Sequence, residues 1–229
     1  MHQNESSVCA RFREILRTGK SAEDFFVPSD EDIKKALSLT GYSHVKLKDG
    51  SVIIDRQGVQ LDFGACGKGY ALDRVLELLT SREVPGAVVS CGGSILVYGS
   101  RDDKTDFKIG IRDPFKEDGS VKGYLSIPKG RTCFVSTSGD YEKYIEKDGV
   151  RYHHIFDTVT GRPADSGLAS VTVIADNGLT SDALSTACFV LGEDKSLPLL
   201  EKYGCQAVFI DKSGQVSFAG GAEKMYNEQ

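Results

Sequence analysis

In this 229-residue chain, Leu61-Asp-Phe-Gly-Ala-Cys-Gly-Lys-Gly-Tyr-Ala-Leu-Asp73 sets three glycines just ahead of an apolar repeat. It reads as the end of a short apolar strand that passes through Gly64, Gly67 and Gly69 and turns helical from Lys68. Ala71, Leu72, Val75, Leu76, Leu78 and Leu79 then recur at helical spacing, predicting a helix over 68–80. A strand that winds through glycines into a helix N-terminus presents unpaired backbone N–H groups and a positive dipole end, and Lys68 adds a full charge. Those are the parts of a phosphate cradle. The same glycines also suit a strand-to-helix turn with no phosphate to hold, and the stretch alone admits both readings.

Upstream, residues 1–28 read as a lead-in with a short helix around Phe12–Leu16. Ser29 with Asp32 makes a capping-box-like start for a helix carrying Ile33, Ala36, Leu37 and Leu39, with Gly41 as its stop. Residues 42–47 and 51–55 form a predicted hairpin over Asp49-Gly50. Downstream, short strands at 87–90, 94–98, 107–111, 123–127 and 133–137 have connections too short for crossover helices, which predicts an antiparallel meander. Gly92-Gly93 between the first two marks a bend or a close backbone approach. A second hairpin turn falls at Asp148-Gly149, and residues 169–175 alternate as a strand. A helix capped by Thr180 or Ser181 runs to Gly192, with Ala183, Leu184, Ala187, Val190 and Leu191 as its apolar face. A shorter helix carries Leu197, Leu200 and Tyr203 with Pro198 in its first turn, and a hairpin over residues 205–218 follows. The expected fold is α+β, a mixed and largely antiparallel sheet flanked by helices, with residues 29–229 as one compact unit.

Composition is that of an ordinary globular protein, 40% hydrophobic and 27% charged, which supports a sizeable core. The net charge of −5 and the lack of a basic run argue against nucleic-acid binding. Six cysteines contain no Cys-x-x-Cys pair and read as buried free thiols rather than a disulfide framework or zinc site. No apolar run is long enough to span a bilayer, and Met1–Cys9 lacks the basic and apolar regions of a signal peptide.

Asp182 and Thr186 lie four apart on a predicted helix and share a face. Two oxygen ligands there suit a hard cation such as Mg²⁺; equally, Asp182 can serve a helix dipole and Thr186 can bond back to a carbonyl. His153 and His154 point to opposite sides of a strand, so one of them can face a given site as a base for a hydroxyl. Ser136, Thr137 and Ser138 are hydrogen-bond donors to a ligand or simple turn residues. No Gly-x-Ser-x-Gly elbow, P-loop or complete Gly-x-Gly-x-x-Gly is present.

In this order, the 61–73 stretch, Gly92-Gly93, Ser136-Thr-Ser-Gly-Asp-Tyr141, His153-His-Ile-Phe-Asp157 with Thr160-Gly161-Arg-Pro163, and Ser181-Asp-Ala-Leu-Ser-Thr-Ala187 together resemble the ApbE-type FAD:protein FMN transferases. The resemblance covers roughly residues 29–220 of the sequence. It implies a bacterial enzyme that binds FAD with Mg²⁺, cleaves the pyrophosphate, attaches FMN to a Thr or Ser hydroxyl of an acceptor flavoprotein, and releases AMP. It implies metal ligation by Asp182, by the Thr186 hydroxyl and by the Gly67 carbonyl. Flavin contacts are implied at Gly64, Lys68, Tyr70, Gly92, Gly93, the Ser136, Thr137 and Ser138 block, and Ile155. His154 is the implied base with His153 as the fallback, and Lys68 helps neutralise the pyrophosphate. An FAD pyrophosphatase would use the same metal site with water as the acceptor, and a flavin-binding remnant would keep the fold without turnover. Departures from the family pattern are Gly67 in place of alanine, Ala65 in place of glycine, and Asp157-Thr158 in place of Asp-Pro, which implies a looser turn. The family also carries a longer N-terminal part that holds some of the flavin pocket, and its members are usually extracytoplasmic and membrane-anchored.

Overall fold

The computed structural model describes residues 27–229 apart from Lys104, so the helix expected around Phe12–Leu16 lies outside the described residues. Contacts gather into two units, a smaller one of residues 27–62 with 142–165 and a larger one of 63–141 with 166–229. No linker marks the division in the sequence, because the smaller unit is assembled from two separated segments.

In the smaller unit, α1 (Asp30–Leu37) begins where its cap predicts. The Ser29 hydroxyl accepts from the Asp32 N–H at 3.2 Å and donates to the Asp32 carboxylate at 2.7 Å. The helix ends at Leu37, short of Gly41, where the Ser38 and Thr40 hydroxyls donate back to the Lys35 and Ala36 carbonyls. Residues 42–44, expected as strand, form a 3₁₀ turn. β1 (Val45–Lys48) then pairs antiparallel with β2 (Ser51–Ile54) over Asp49 and Gly50, whose φ values of 50° and 73° are those of a tight hairpin turn. β8 (Tyr144–Lys147) and β9 (Val150–His153) repeat the device over Asp148 and Gly149. The loop after β9 is closed rather than loosened: Asp157 Oδ1 accepts from the Val159 N–H at 2.8 Å, and the Gly161 N–H reaches the Asp157 carbonyl at 2.8 Å. A Cβ on Gly161 would come within 2.7 Å of Ile33, so α1 packs directly on this loop.

The larger unit has three layers. Its elements in chain order are α2 (Gly67–Ser81), β3 (Gly86–Cys91), β4 (Ser94–Gly99), β5 (Phe107–Arg112), β6 (Val121–Ile127), β7 (Cys133–Gly139), β10 (Leu168–Ala175), α3 (Gly178–Leu191), α4 (Glu193–Tyr203), β11 (Gln206–Asp211), β12 (Val216–Ala219) and β13 (Tyr226–Glu228). Six strands form a sheet in the order β12-β11-β10-β7-β4-β3, and a second sheet has the order β13-β6-β5. Among the described residues every strand pairing is antiparallel. The expected meander therefore holds only in part. β5 and β6 leave the main sheet, and β7 returns to pair with β4. The alternation of buried and exposed residues along β5 explains why. Phe107, Ile109 and Ile111 join Leu125 and Ile127 against Val97, Val135, Ile174, Val208 and Ile210, covering one face of the six-stranded sheet.

The helices cover the other face. Leu72 of α2 packs against Leu96 and Phe134. α3 is capped by Asn177, whose side chain accepts from the Thr180 N–H at 2.8 Å, three residues before the nearer cap read from sequence, Thr180. Its buried side also differs: Ser181, Asp182, Leu184, Ser185, Cys188 and Phe189 are buried, while Leu191 is exposed. The strand beneath supplies Ser136 and Ser138, so hydroxyls rather than methyls face each other there. α4 begins at Glu193, which places Pro198 in the second turn and leaves the Asp194 carbonyl without its usual helical partner.

Cys66, Cys91, Cys133, Cys188 and Cys205 are free thiols, the last three buried. Burial pushes the Cys133 and Cys205 thiols up to about 11 and raises that of Cys188. At pH 8 a thiol with that pKa is only about one part in a thousand thiolate, and access is blocked as well. Among the five described cysteines, iodoacetamide at pH 8 is therefore expected to modify Cys66 and Cys91 in the native protein and Cys133, Cys188 and Cys205 only after denaturation. Peptide mass spectrometry reads this directly, and early modification of Cys133 or Cys205 would contradict the packing. Among the described residues no helix is long and apolar enough to cross a membrane.

Candidate active site

The glycine-rich stretch enters α2 by a turn and not from a strand. Leu61 and Phe63 are exposed, and the Cys66 and Gly67 N–H groups both donate to the Phe63 carbonyl, at 3.1 and 2.7 Å. The helix N-terminus is also not an open cradle, since the Gly69 N–H donates to Asp182 Oδ2 at 2.9 Å. Asp182 thus serves a helix dipole, but that of α2 and not of its own helix.

The relation is reciprocal. Asp73 of α2 accepts from the first two N–H groups of α3, Gly178 at 2.6 Å and Leu179 at 2.9 Å. Each helix carries a Gly-x-x-x-Asp segment, Gly69 to Asp73 and Gly178 to Asp182, and the i, i+4 spacing puts glycine and aspartate on one face. The two glycines lie back to back: a Cβ on Gly69 would fall 2.0 Å from the Gly178 carbonyl oxygen, and one on Gly178 would fall 2.2 Å from the Gly69 oxygen. Both glycines are required by this close approach.

Only the Asp182 half is built as a buried charged site. The residue is 2% exposed, and Oδ1 also accepts from Ser94 Oγ at 3.1 Å and pairs with Lys68 Nζ at 2.9 Å. Lys68 Nζ donates to the Gly64 carbonyl at 3.3 Å as well. Gly92 and Gly93, with φ of 48° and 89°, form the two-residue turn between β3 and β4 that delivers Ser94. A Cβ on Gly92 would lie 3.6 Å from Lys68 Cδ, and the Gly93 carbonyl accepts from the Thr137 N–H. Both readings of the Gly-Gly pair, bend and close approach, therefore apply.

From Asp182 a line of hydroxyls runs under α3. Ser136 Oγ donates to Ser94 Oγ at 3.1 Å and lies 2.7 Å from Ser181 Oγ. Ser138 Oγ lies 2.8 Å from Ser185 Oγ and 3.1 Å from Thr186 Oγ1. Thr137 stands on the opposite face of the sheet, 2.9 Å from Thr172 Oγ1, because side chains alternate along β7. Its side chain is not part of this line. Tyr70 is exposed on α2 with the Arg74 guanidinium over its ring.

The residues read as metal ligands supply only oxygen: the Asp182 carboxylate, the Thr186 hydroxyl one helical turn on, and the Gly67 carbonyl. That donor set fits a hard cation such as Mg²⁺. Each carboxylate oxygen has lone pairs for two bonds; Oδ1 takes Ser94 and Lys68, and Oδ2 takes the Gly69 N–H.

His153, His154 and Ile155 belong to the smaller unit. His153 is buried and has both ring nitrogens engaged: Nδ1 accepts from the Ile155 N–H at 3.3 Å, which makes Nε2 the donor to the Ala164 carbonyl at 3.0 Å. His154 Nδ1 lies 3.2 Å from the Lys143 carbonyl. A carbonyl can only accept, so Nδ1 carries the proton and the neutral ring keeps its basic lone pair on Nε2. Ile155 is buried, with its carbonyl accepting from Ala164.

The sequence reading missed Asp73, Ser94, Gly178, Ser181 and Ser185. The repeated Gly-x-x-x-Asp spacing was the available signal for two of them; the serines look like ordinary polar positions.

A family model described as the ApbE family matches residues 8–209. The FAD:protein FMN transferase of Treponema pallidum is 37% identical over 211 residues, covering 85% of this chain. The chain spans 58% of that protein's length. Among solved structures, the ApbE protein of Thermotoga maritima is 36% identical with a TM-score of 0.81, covering 97% of this chain and 72% of its own. The flavinyl transferase ApbE of Pseudomonas stutzeri is 35% identical with a TM-score of 0.72, covering 87% of this chain and 62% of its own.

Proposed function

Since the chain belongs to the ApbE family, we propose that it is an FAD:protein FMN transferase that moves FMN to a Thr or Ser hydroxyl of an acceptor protein. The observation that carries the reading is the Lys68–Asp182 pair at the crossing of two helix N-termini, a buried carboxylate and a cation set among backbone donors. The acceptor oxygen attacks the FMN phosphorus, the bond to the bridging oxygen breaks, and AMP leaves. His154 takes the hydroxyl proton through Nε2, while the Lys143 carbonyl holds its tautomer. Lys68 neutralises charge on the pyrophosphate. Asp182, Thr186 and the Gly67 carbonyl would hold Mg²⁺, which supplies Lewis-acid stabilisation of the phosphoryl oxygens. Gly64, Tyr70, Gly92, Gly93, Ile155 and the backbone of residues 136–138 would line the flavin nucleotide.

The test is incubation with FAD, Mg²⁺ and a threonine-bearing acceptor, followed by denaturing electrophoresis. Yellow-green fluorescence on the acceptor band, lost when the target threonine is replaced by valine, is the expected result. Free FMN and AMP with no labelled acceptor would instead make the chain a pyrophosphatase. No turnover at all, with FAD still bound, would make it a flavin-binding remnant.

The two histidines separate cleanly. His154→Ala is expected to slow transfer by about 10²–10⁴-fold while leaving FAD binding nearly unchanged. His153→Ala is expected to lower the melting temperature, since it removes a buried ring with two hydrogen bonds. Transfer rates and thermal melts of both variants check this; equal transfer by His154→Ala and wild type would remove His154 from the mechanism.

A further inference from the structure

We infer that Asp73 is a positioning residue for the reaction, acting through α3 on the metal ligands Asp182 and Thr186; this rests on the metal reading above. Asp73 is on α2 and is neither a proposed ligand nor a flavin contact. Its carboxylate spans the start of α3, one oxygen on the Gly178 N–H and the other on the Leu179 N–H. With Asn177 taking the Thr180 N–H, three of the four donors that a helix leaves at its N-terminus are met by side chains.

Two point contacts on adjacent N–H groups fix both the axial position and the rotation of α3 about its axis. Asp182 and Thr186 follow Gly178 by four and eight residues, so they stand one and two turns above the clamp and inherit its rotation. The reciprocal bond donated by the Gly69 N–H to Asp182, and the glycine crossing beside it, leave the helices no room to slide. The exchange is symmetric in its backbone bonds but not in its setting. Asp182 has Lys68 and Ser94 around it, whereas among the described residues Asp73 meets the N–H groups of Gly178 and Leu179 at the helix start. One aspartate of the pair is equipped for chemistry and the other holds it in place.

Asp73→Asn tests this. The amide keeps the shape but offers a single acceptor oxygen and turns an NH₂ toward a donor. Mn²⁺ serves as the probe, with binding read by electron paramagnetic resonance in the presence of FAD. Loss of an outer partner of a metal site weakens metal affinity by about 10- to 100-fold, and that is the expected shift in Mn²⁺ dissociation constant, with the same shift in the Mg²⁺ concentration for half-maximal AMP release. Ser29→Ala, a cap in the smaller unit, is the control for simple loss of stability and is expected to leave Mn²⁺ binding unchanged. Should Asp73→Asn fail to fold, Asp73→Ser, which keeps one acceptor oxygen, takes its place with the same expectation. Equal Mn²⁺ binding by the variant and wild type would overturn the positioning role alone. An absence of Mn²⁺ binding by the wild type would overturn the metal reading and this inference with it.

Discussion

Gly69→Ala is expected to destabilise the protein by about 3 kcal/mol or more, a large share of the roughly 5–15 kcal/mol that a domain of this kind has in total. The added Cβ would lie 2.0 Å from the Gly178 carbonyl oxygen, 2.4 Å from its carbon and 2.7 Å from Asp182 Cβ. Two of these are backbone atoms, so no side-chain rotation relieves the clash. The helices must part, and parting them stretches all three hydrogen bonds exchanged through Asp73 and Asp182. Gly67→Ala, two residues earlier, is the matched control. Its Cβ meets only Phe63 Cβ at 3.7 Å, an ordinary contact, and alanine improves helix propensity. That variant is expected to be neutral or up to about 1 kcal/mol more stable. The resemblance noted from sequence, in which alanine is usual at this position, agrees with the space found there. Urea melts of the two variants decide the matter: opposite signs support the helix crossing, and equal melts would contradict it.

The second large effect is at Asp182. Truncation to alanine leaves the Gly69 N–H, Ser94 Oγ and Lys68 Nζ without their shared acceptor. Removing one partner of a buried ion pair costs about 3–5 kcal/mol. Lys68 is a third exposed and can turn to water, which puts the expected loss at the low end, about 3 kcal/mol. Mg²⁺-dependent AMP release is expected to vanish as well. A double variant separates the two effects. Lys68→Met with Asp182→Asn removes both charges together, and part of the lost stability is expected to return while AMP release stays absent. If the double variant released AMP at the wild-type rate, neither residue would belong to the chemistry.

Much of this was legible before any coordinates. The Asp-Gly hairpins at 49–50 and 148–149 follow from residues that tolerate positive φ, and the Ser29 cap from its spacing to Asp32. The helix after the glycines follows from the apolar repeat of residues 71–79. What escaped was tertiary. α3 begins at Gly178, a poor helix former, because a carboxylate 105 residues away caps it. The polar buried face of α3 exists only because β7 presents serines beneath it. The short links around β5 and β6 excluded crossover helices but could not say that the pair would join another sheet. The glycine-rich turn reads equally as a phosphate cradle or a plain turn from sequence; Gly69 serves the close approach of two helices, and Asp182 takes its N–H.

The ratio of AMP released to flavin bound covalently to the acceptor decides whether the chain transfers FMN. AMP is read by chromatography, and bound flavin by absorbance after denaturation and removal of free nucleotide. FMN transfer predicts a one-to-one ratio in the presence of Mg²⁺ and neither product in its absence. AMP accompanied by free FMN, with no flavin on the acceptor, would contradict it.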